Sequence, residues 1–321
     1  MSRIPSIEEF AGQVILKEVC RNVSRIEVTV ATVCFNPLKA GRREVFLKNL
    51  DSVQQQDAFL EHLIIDGGSS DGTLEWLKAY NNERHDIRIL SKLDFGIYEA
   101  MNRAIALARG KYIIYLNSDD YFHNPQGMTA SVRRIEEMQC DFSFAPVRFS
   151  PPNIRHHAQL APQKRLHRFL ISWSFSHQSM LTSRSLMQRL DGFDTSYKSA
   201  ADYDLLLRMI VAGAKGCFVP LTFSTFSLNG FSAENKDLAI SECIRSLQSF
   251  YQDFYSVEMT HDEVAYIIKH RVYPRKYIDL FKQTQSLIRE RFIGIPEGPV
   301  AWLSKWFNYI KYYMKCRKAS V

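Results

Sequence analysis

Four short runs rich in β-branched residues recur through the first part of the chain, each separated from the next by a stretch with helical spacing. They are Val28–Phe35, Glu61–Asp66, Asp86–Ser91 and Tyr112–Leu116. Runs this short and this continuously apolar suit strands buried on both faces. Strands that alternate with helices predict a mostly parallel, doubly wound α/β sheet. The best-marked helix is Ile97–Arg109, where Ile97, Ala100, Met101, Ala104, Ile105 and Ala108 fall at i, i+3, i+4 spacing and Gly110 follows as a stop.

Beyond these runs the pattern predicts a strand over Phe142–Phe149, a short helix over Ser183–Leu190 and a helix over Ala201–Val211. Two further strands are expected at Gly216–Val219 and Thr222–Leu228, and from about Ala233 onward the spacing is helical, with breaks near Pro274 and at Gly294–Pro299. The organisation expected is an N-terminal extension, 1–24, taken as helical, a sheet domain over 25–232, and a helical C-terminal region over 233–321. With only 14 Gly and 11 Pro there is no long flexible linker. No apolar run reaches the roughly 18 residues that a membrane span requires, and the N-terminus lacks a signal-peptide core, so a cytoplasmic chain is expected. The six cysteines are scattered without a C-x-x-C pair, which argues for reduced thiols and against a zinc site or disulfide scaffold.

In doubly wound sheets ligands bind beyond the carboxyl ends of the strands, and the polar residues of this chain collect there. Asn36-Pro37 follows the first run, Asp66–Thr73 (DGGSSDGT) the second, and Asn117-Ser118-Asp119-Asp120 the fourth. Adjacent carboxylates repel each other unless a cation or donors compensate. Their hard oxygens suit Mg²⁺ or Mn²⁺ held together with substrate phosphates, although a solvated turn or a helix cap also accounts for an Asp-Asp pair. The 66–73 loop has neither the G-x-G-x-x-G nor the G-K-S/T pattern, so dinucleotide binding and P-loop chemistry are not supported. Asp66 is suited to accept a base N–H, and Ser70 or Thr73 to cap the next helix. Ala201-Asp202-Tyr203-Asp204 opens a helix; acids there either answer the helix dipole or deprotonate a hydroxyl nucleophile. His177-Gln178 precedes them within Ser174–Ser179.

Taken together and in order, these segments resemble the inverting family-two glycosyltransferases of the GT-A fold, of the bacterial colanic-acid and exopolysaccharide assembly type. Asp94-Phe-Gly-Ile-Tyr-Glu-Ala-Met-Asn102 is similar to that family's D-x-G-I-Y-D-A-M-N segment, and Ser69–Thr73 to its S-x-D-G-T loop. Asn117–Asp120 stands where its D-x-D motif stands, and Gly192-Phe193-Asp194 and Ala201–Leu205 resemble its G-F-D and E-D-Y-D-L elements. The resemblance runs from about Val28 to Ser232. It implies that Phe35 stacks on the nucleobase, that Asn36, Asp66 and Asp71 belong to the donor side, and that Asp94 lines the nucleotide-sugar pocket. It further implies that Asp119 faces the ribose or sugar, that Asp120 holds Mn²⁺ or Mg²⁺ on the diphosphate, and that Asp202 is the general base. Ser118 replaces the first acid of D-x-D and Ala201 the usual Glu, which leaves Asp204 as the other candidate base; the offset within the motif favours Asp202. His177 and Gln178 are assigned to the acceptor side. The donor implied is a UDP, GDP or dTDP sugar.

The net charge of +7 is unevenly spread. Phe142–Leu190 holds no acid against Arg148, Arg155, Lys164, Arg165, Arg168, Arg184 and Arg189, and Ala301–Val321 none against Lys305, Lys311, Lys315, Arg317 and Lys318. Such patches attract anions. The first predicts a phosphate-bearing glycan acceptor, with a polyprenyl diphosphate as carrier. In the second, Trp302, Trp306, Tyr309, Ile310 and Tyr313 share one helical face, as in helices that lie on anionic membranes; packing on the protein body is the other use of such a face. Nucleic-acid binding is opposed by the acidic loops and by the lack of a recognised motif. A nucleotidyltransferase and an inactive sugar-nucleotide-binding relative are the alternatives: Gly41-Arg42-Arg43 is a poor phosphate cradle, whereas Ser118 and Ala201 keep the inactive relative open as the minor reading.

Overall fold

The computed structural model describes residues 3–10, 14–15, 26–84, 87–150, 176–228, 235–270 and 273–294. A 3-10 turn at Ile7–Phe10 and β1 (Val14–Ile15) come first, then β2 (Val28–Cys34), α1 (Arg43–Gln54), β3 (Leu60–Asp66), α2 (Thr73–Arg84) and β4 (Ile87–Ser91). There follow α3 (Ile97–Leu107), β5 (Tyr112–Tyr115), β6 (Tyr121–Phe122), α4 (Gly127–Met138), β7 (Phe142–Phe144), β8 (Val147–Ser150) and β9 (Met180–Ser183). The remaining elements are α5 (Arg184–Arg189), α6 (Ala201–Val211), β10 (Gly216–Phe218), β11 (Ser224–Ser227), α7 (Lys236–Tyr255), α8 (His261–His270), α9 (Ile278–Arg291) and β12 (Phe292–Ile293).

The main sheet has the order β1-β4-β3-β2-β5-β9-β7-β10-β12. Its pairings are parallel except where β1 meets β4 and where β9 inserts between β5 and β7. The doubly wound, mostly parallel sheet expected from the sequence is therefore present. Every residue of β2 and β5 is buried, because helices cover both faces. Alternate residues serve opposite cores, as the period of two requires. Val28, Val30, Ile114 and Leu116 pack with α4 residues Met128, Val132 and Ile135, whereas Ala31, Val33, Ile113 and Tyr115 pack with α3 residues Met101, Ala104 and Ile105.

Strand endings are in register: Cys34 pairs with Asp66 and Asp66 with Ser91, so the loops after β2, β3 and β4 leave from one edge. Because β9 is antiparallel, the turn that precedes it, Ser176–Ser179, reaches that same edge. A second sheet, β6-β11-β8, brings Phe149 and Phe226 together edge to face, with centroids 5.9 Å apart.

Three expectations are corrected. Phe142–Phe149 is two strands rather than one: β7 belongs to the main sheet and β8 to the small one. Pro146 lies between them, with no N–H to give to a ladder. The N-terminal extension, expected to be helical, contains among its described residues a 3-10 turn and the strand β1. The C-terminal region contains β12 as well as helices; Phe292 meets Phe142 and Phe144 edge-on at 5.9 and 5.5 Å. The basic amphipathic segment 301–321 and the cations Arg155, Lys164, Arg165 and Arg168 lie outside the described residues.

Candidate active site

A cavity of about 1000 Å³ opens at the edge where the strands end. Phe35, Asp94, Asp119, His177, Gln178 and Asp202 all line it. Residues from five separate segments thus converge on one space, which is large enough for a substrate the size of a nucleotide sugar.

The loops that follow β2 and β3 are clipped to one another. Asn36, with φ of 47°, donates its N–H to Ser69 Oγ at 2.7 Å and accepts the Ser70 N–H on Oδ1 at 2.9 Å. Asp66 is fully buried; its carboxylate accepts the Ser91 hydroxyl at 2.6 Å and the Ser69 N–H at 3.1 Å. Asp71 accepts the N–H groups of Lys39 and Thr73 at 2.8 and 3.1 Å and the Thr73 hydroxyl at 2.5 Å. Desolvation alone would raise its carboxyl, but these bonds together hold it below the usual range. Asn36, Asp66 and Asp71 therefore hold these loops together and do not line the cavity, whereas Phe35, 63% exposed, stands in the cavity wall.

Asp94 reaches the cavity through a close approach of two loops. A Cβ at Gly67 would fall 2.6 Å from Asp94 Oδ2, so the glycine makes room for that carboxylate. Burial pushes Asp94 upward in pKa, opposed by the Gly96 N–H and the Arg103 charge. Arg103, itself buried, holds the same loop through the carbonyls of Lys92 and Leu93 at 2.7 and 2.8 Å.

The two adjacent carboxylates face different surroundings. Asp119 lines the cavity, with Arg42 Nη1 3.4 Å from its Oδ2. Burial raises its pKa, and the Arg42 charge opposes that rise. Asp120, to which the sequence reading assigned the metal, is 1% exposed and turned inward, accepting from Gln178 Nε2 and the Ser227 N–H, both at 2.8 Å. Burial and then the Asp119 charge push Asp120 up to about 7. Among the described residues no three His, Cys, Asp or Glu side chains form a metal cage. Mg²⁺ and Mn²⁺ need none when one or two carboxylates share the ion with substrate phosphates. Asp119 opens onto the cavity and the neighbouring Asn117 Oδ1 is a buried oxygen without a hydrogen-bond partner, a donor set that fits such an ion.

Asp202 lies at the start of α6. Its Oδ2 is 3.1 Å from His177 Nδ1, and its Oδ1 accepts from the Tyr98 hydroxyl at 3.4 Å. Tyr98 is stacked on Phe193, with centroids 5.6 Å apart. Asp204 does not line the cavity; Arg208 Nε holds it at 2.8 Å. Gly192-Phe193 acts through the backbone: Asn102 both donates to Phe193 O and accepts its N–H at 2.8 Å. A Cβ at Gly192, whose φ is +61°, would come within 2.3 Å of Asn102 Oδ1.

Arg42 and Tyr98 are site residues to which the sequence reading gave no role. The family resemblance includes Tyr98 only as one position of the Asp94–Asn102 segment, and Arg42 meets Asp119 through a contact between distant loops. The acid-free segment supplies no described cation to the cavity. Arg148, Arg184 and Arg189 are not among its lining residues, and Arg184 bonds Gly110 O at the opposite sheet edge. Among the described residues the Lys and Arg side chains that line it are Arg3, Arg42 and Lys198.

Residues 29–190 match the family model described as Glycosyl transferase family 2. A glycosyltransferase of PGL/p-HBAD biosynthesis from Mycobacterium bovis (strain BCG / Pasteur 1173P2) is 27% identical over 162 residues, which is 50% of this chain and 62% of that protein. The chain thus spans less than two thirds of that relative. Among solved structures, S. aureus TarS 1-349 in complex with UDP-GlcNAc superposes with a TM-score of 0.58 at 17% identity, covering 77% of this chain and 72% of that one. The mannosyltransferase PcManGT from Pyrobaculum calidifontis, in complex with GDP-Man and Mn²⁺, gives 0.57 at 16% identity, covering 92% and 83%. These likenesses bear on the fold, which is the GT-A fold that the motifs implied.

Proposed function

The chain belongs to glycosyl transferase family 2, and on that premise we propose that it is a metal-dependent, inverting glycosyltransferase working on a glycan acceptor. The observation that carries this reading is that Asp119 and Asp202 line one cavity with Phe35 at its wall. Family membership sets aside the nucleotidyltransferase alternative. The donor is a nucleoside-diphosphate sugar whose base stacks on Phe35 and whose diphosphate lies toward Asp119 and Arg42. Asp202 takes the proton of the acceptor hydroxyl as that oxygen attacks the anomeric carbon, and the nucleoside diphosphate leaves from the opposite face. One base suffices for this single displacement, which inverts the anomeric centre. A divalent ion held by Asp119 supplies positive charge to the leaving diphosphate when bound. Arg42 adds a fixed positive charge beside the same group.

The acceptor is amphiphilic, a phosphate-bearing glycan on a lipid carrier. Lys198 offers a cation at the cavity, and Leu93 and Phe95 line it while 68% and 85% exposed, an apolar surface that a water-filled sugar site does not call for. No described helix is long and apolar enough to cross a membrane. With a lipid-linked acceptor the enzyme works at the inner face of the plasma membrane, and the cations of residues 301–321 add attraction to an anionic surface.

The test is a donor screen with UDP, GDP and dTDP sugars and Mn²⁺ or Mg²⁺, reading melting temperature and released nucleoside diphosphate together. One donor should stabilise the protein, and that stabilisation should disappear with EDTA and in Asp119→Ala. Stabilisation that survives both would remove the metal from this reading, and stabilisation without turnover for any acceptor would favour the inactive relative.

A further inference from the structure

The turn Ser176–Ser179 touches both halves of the cavity. His177 Nδ1 lies 3.1 Å from Asp202 Oδ2, and Gln178 Nε2 donates to Asp120 Oδ2 at 2.8 Å. The Ser179 hydroxyl donates to Ala145 O at 2.6 Å, and β9 begins at the next residue, so the turn is anchored in the main sheet. On its far side the His177 ring presents Nε2 to Asn117 Nδ2 at 3.4 Å. An amide nitrogen only donates, so Nε2 accepts and the ring proton sits on Nδ1, directed at Asp202. The strand end that carries Asp119 and the helix that carries Asp202 are thus joined through one imidazole.

We infer that His177 is a positioning residue for Asp202, fixing the carboxylate at the cavity wall through its Nδ1–H while Asn117 sets the tautomer. The inference rests on the reading of Asp202 as the base. Asp202 sits in the first turn of α6, where its carboxylate can otherwise swing toward solvent or the N-terminal N–H groups of the helix; its Oδ1 already accepts the Tyr203 N–H at 2.9 Å. Held between His177 and Tyr98, it keeps one orientation toward the acceptor hydroxyl. Asp204 has no such link to the turn and is tied to Arg208 instead. A general base displaced by about 1 Å loses on the order of 100-fold in rate, so the imidazole acts on the chemical step and leaves donor binding alone.

Steady-state kinetics on three variants test this. His177→Ala should lower kcat about 100-fold with the donor KM and the donor-induced rise in melting temperature unchanged. His177→Asn, whose amide nitrogen takes the place of Nδ1, should recover most of that loss, whereas His177→Gln, whose nitrogen takes the place of Nε2, should not. In an Asp202→Asn background the His177→Ala substitution should cost nothing further. Equal activity of the Asn and Gln variants, or a loss that appears in donor KM, would overturn the inference. Failure of the base reading has a different signature: Asp202→Asn would then keep wild-type kcat. Should the Ala variant not fold, the Asn–Gln comparison still decides.

Discussion

At the scale of single residues, two acids in the first turn of one helix do two different things, and their hydrogen bonds tell them apart. Asp202 faces the cavity with His177 and Tyr98 on its two oxygens; Asp204 is an anchor for Arg208, whose other nitrogens reach Leu190 O and Gly192 O at 2.7 Å. Asp202→Asn should therefore lower kcat by about 10²–10⁴-fold with unchanged donor affinity and melting temperature. Asp204→Asn should instead lower stability by about 1–3 kcal/mol, measured by denaturant unfolding, and leave most of kcat. His62 on β3 carries a pH prediction. Burial lowers its pKa to about 3, and its Nε2 lies 2.9 Å from Thr32 Oγ1. The unfolded chain protonates that imidazole below about 6.5 while the folded protein does not. The stability that neutral His62 permits is thus complete above that pH and lost as pH falls from there toward 3, at no more than about 1.4 kcal/mol per pH unit. His62→Gln should flatten this part of the stability-against-pH curve; an unchanged slope would show that other groups set it.

At the scale of elements, the helix bearing Asp202 is held by the C-terminal region. Glu242 of α7 is buried and accepts the N–H groups of Lys198, Ser199 and Ala200 at 2.8, 2.8 and 2.9 Å, a carboxylate at the entry to α6. Beside it Arg245 lies over the Tyr197 ring at 3.6 Å. Glu242→Ala leaves three backbone donors without their acceptor and should cost roughly 2–4 kcal/mol. The prediction is checked by a fall in melting temperature together with a kcat loss that Glu242→Gln, which keeps one acceptor oxygen, reduces. A drop in stability with kcat unchanged would mean that α6 keeps its place without this cap.

At the scale of the molecule, the matched segment 29–190 ends before α6 begins, so the candidate base lies outside it. One core also runs across the boundary expected near residue 232: Tyr203, Leu206 and Ile210 of α6 share it with Ile244, Leu247 and Tyr251 of α7 and Phe292 of β12. A chain ending at residue 232 should consequently expose this apolar face and be recovered aggregated or molten, by size-exclusion chromatography and near-UV circular dichroism. A monomeric, cooperatively unfolding fragment would make 25–232 a domain in its own right.

Much of this was legible in residue order. The β-branched runs and helical spacing determine the alternation of strands and helices, and alternation determines a doubly wound sheet whose loops gather at one edge, because right-handed crossovers leave little choice. The motif order Asp94–Asn102, Asn117–Asp120 and Ala201–Asp204 likewise marks the residues that meet at the cavity. Tertiary structure alone decided which of two neighbouring acids faces it. Asp119 and Asp120 are chemically identical in sequence, and only the burial of Asp120 against Gln178 and Ser227 separates them. Which acid follows Arg42, which follows Arg208, and which is held by His177 depends on contacts between segments far apart in the chain, and no local pattern encodes these.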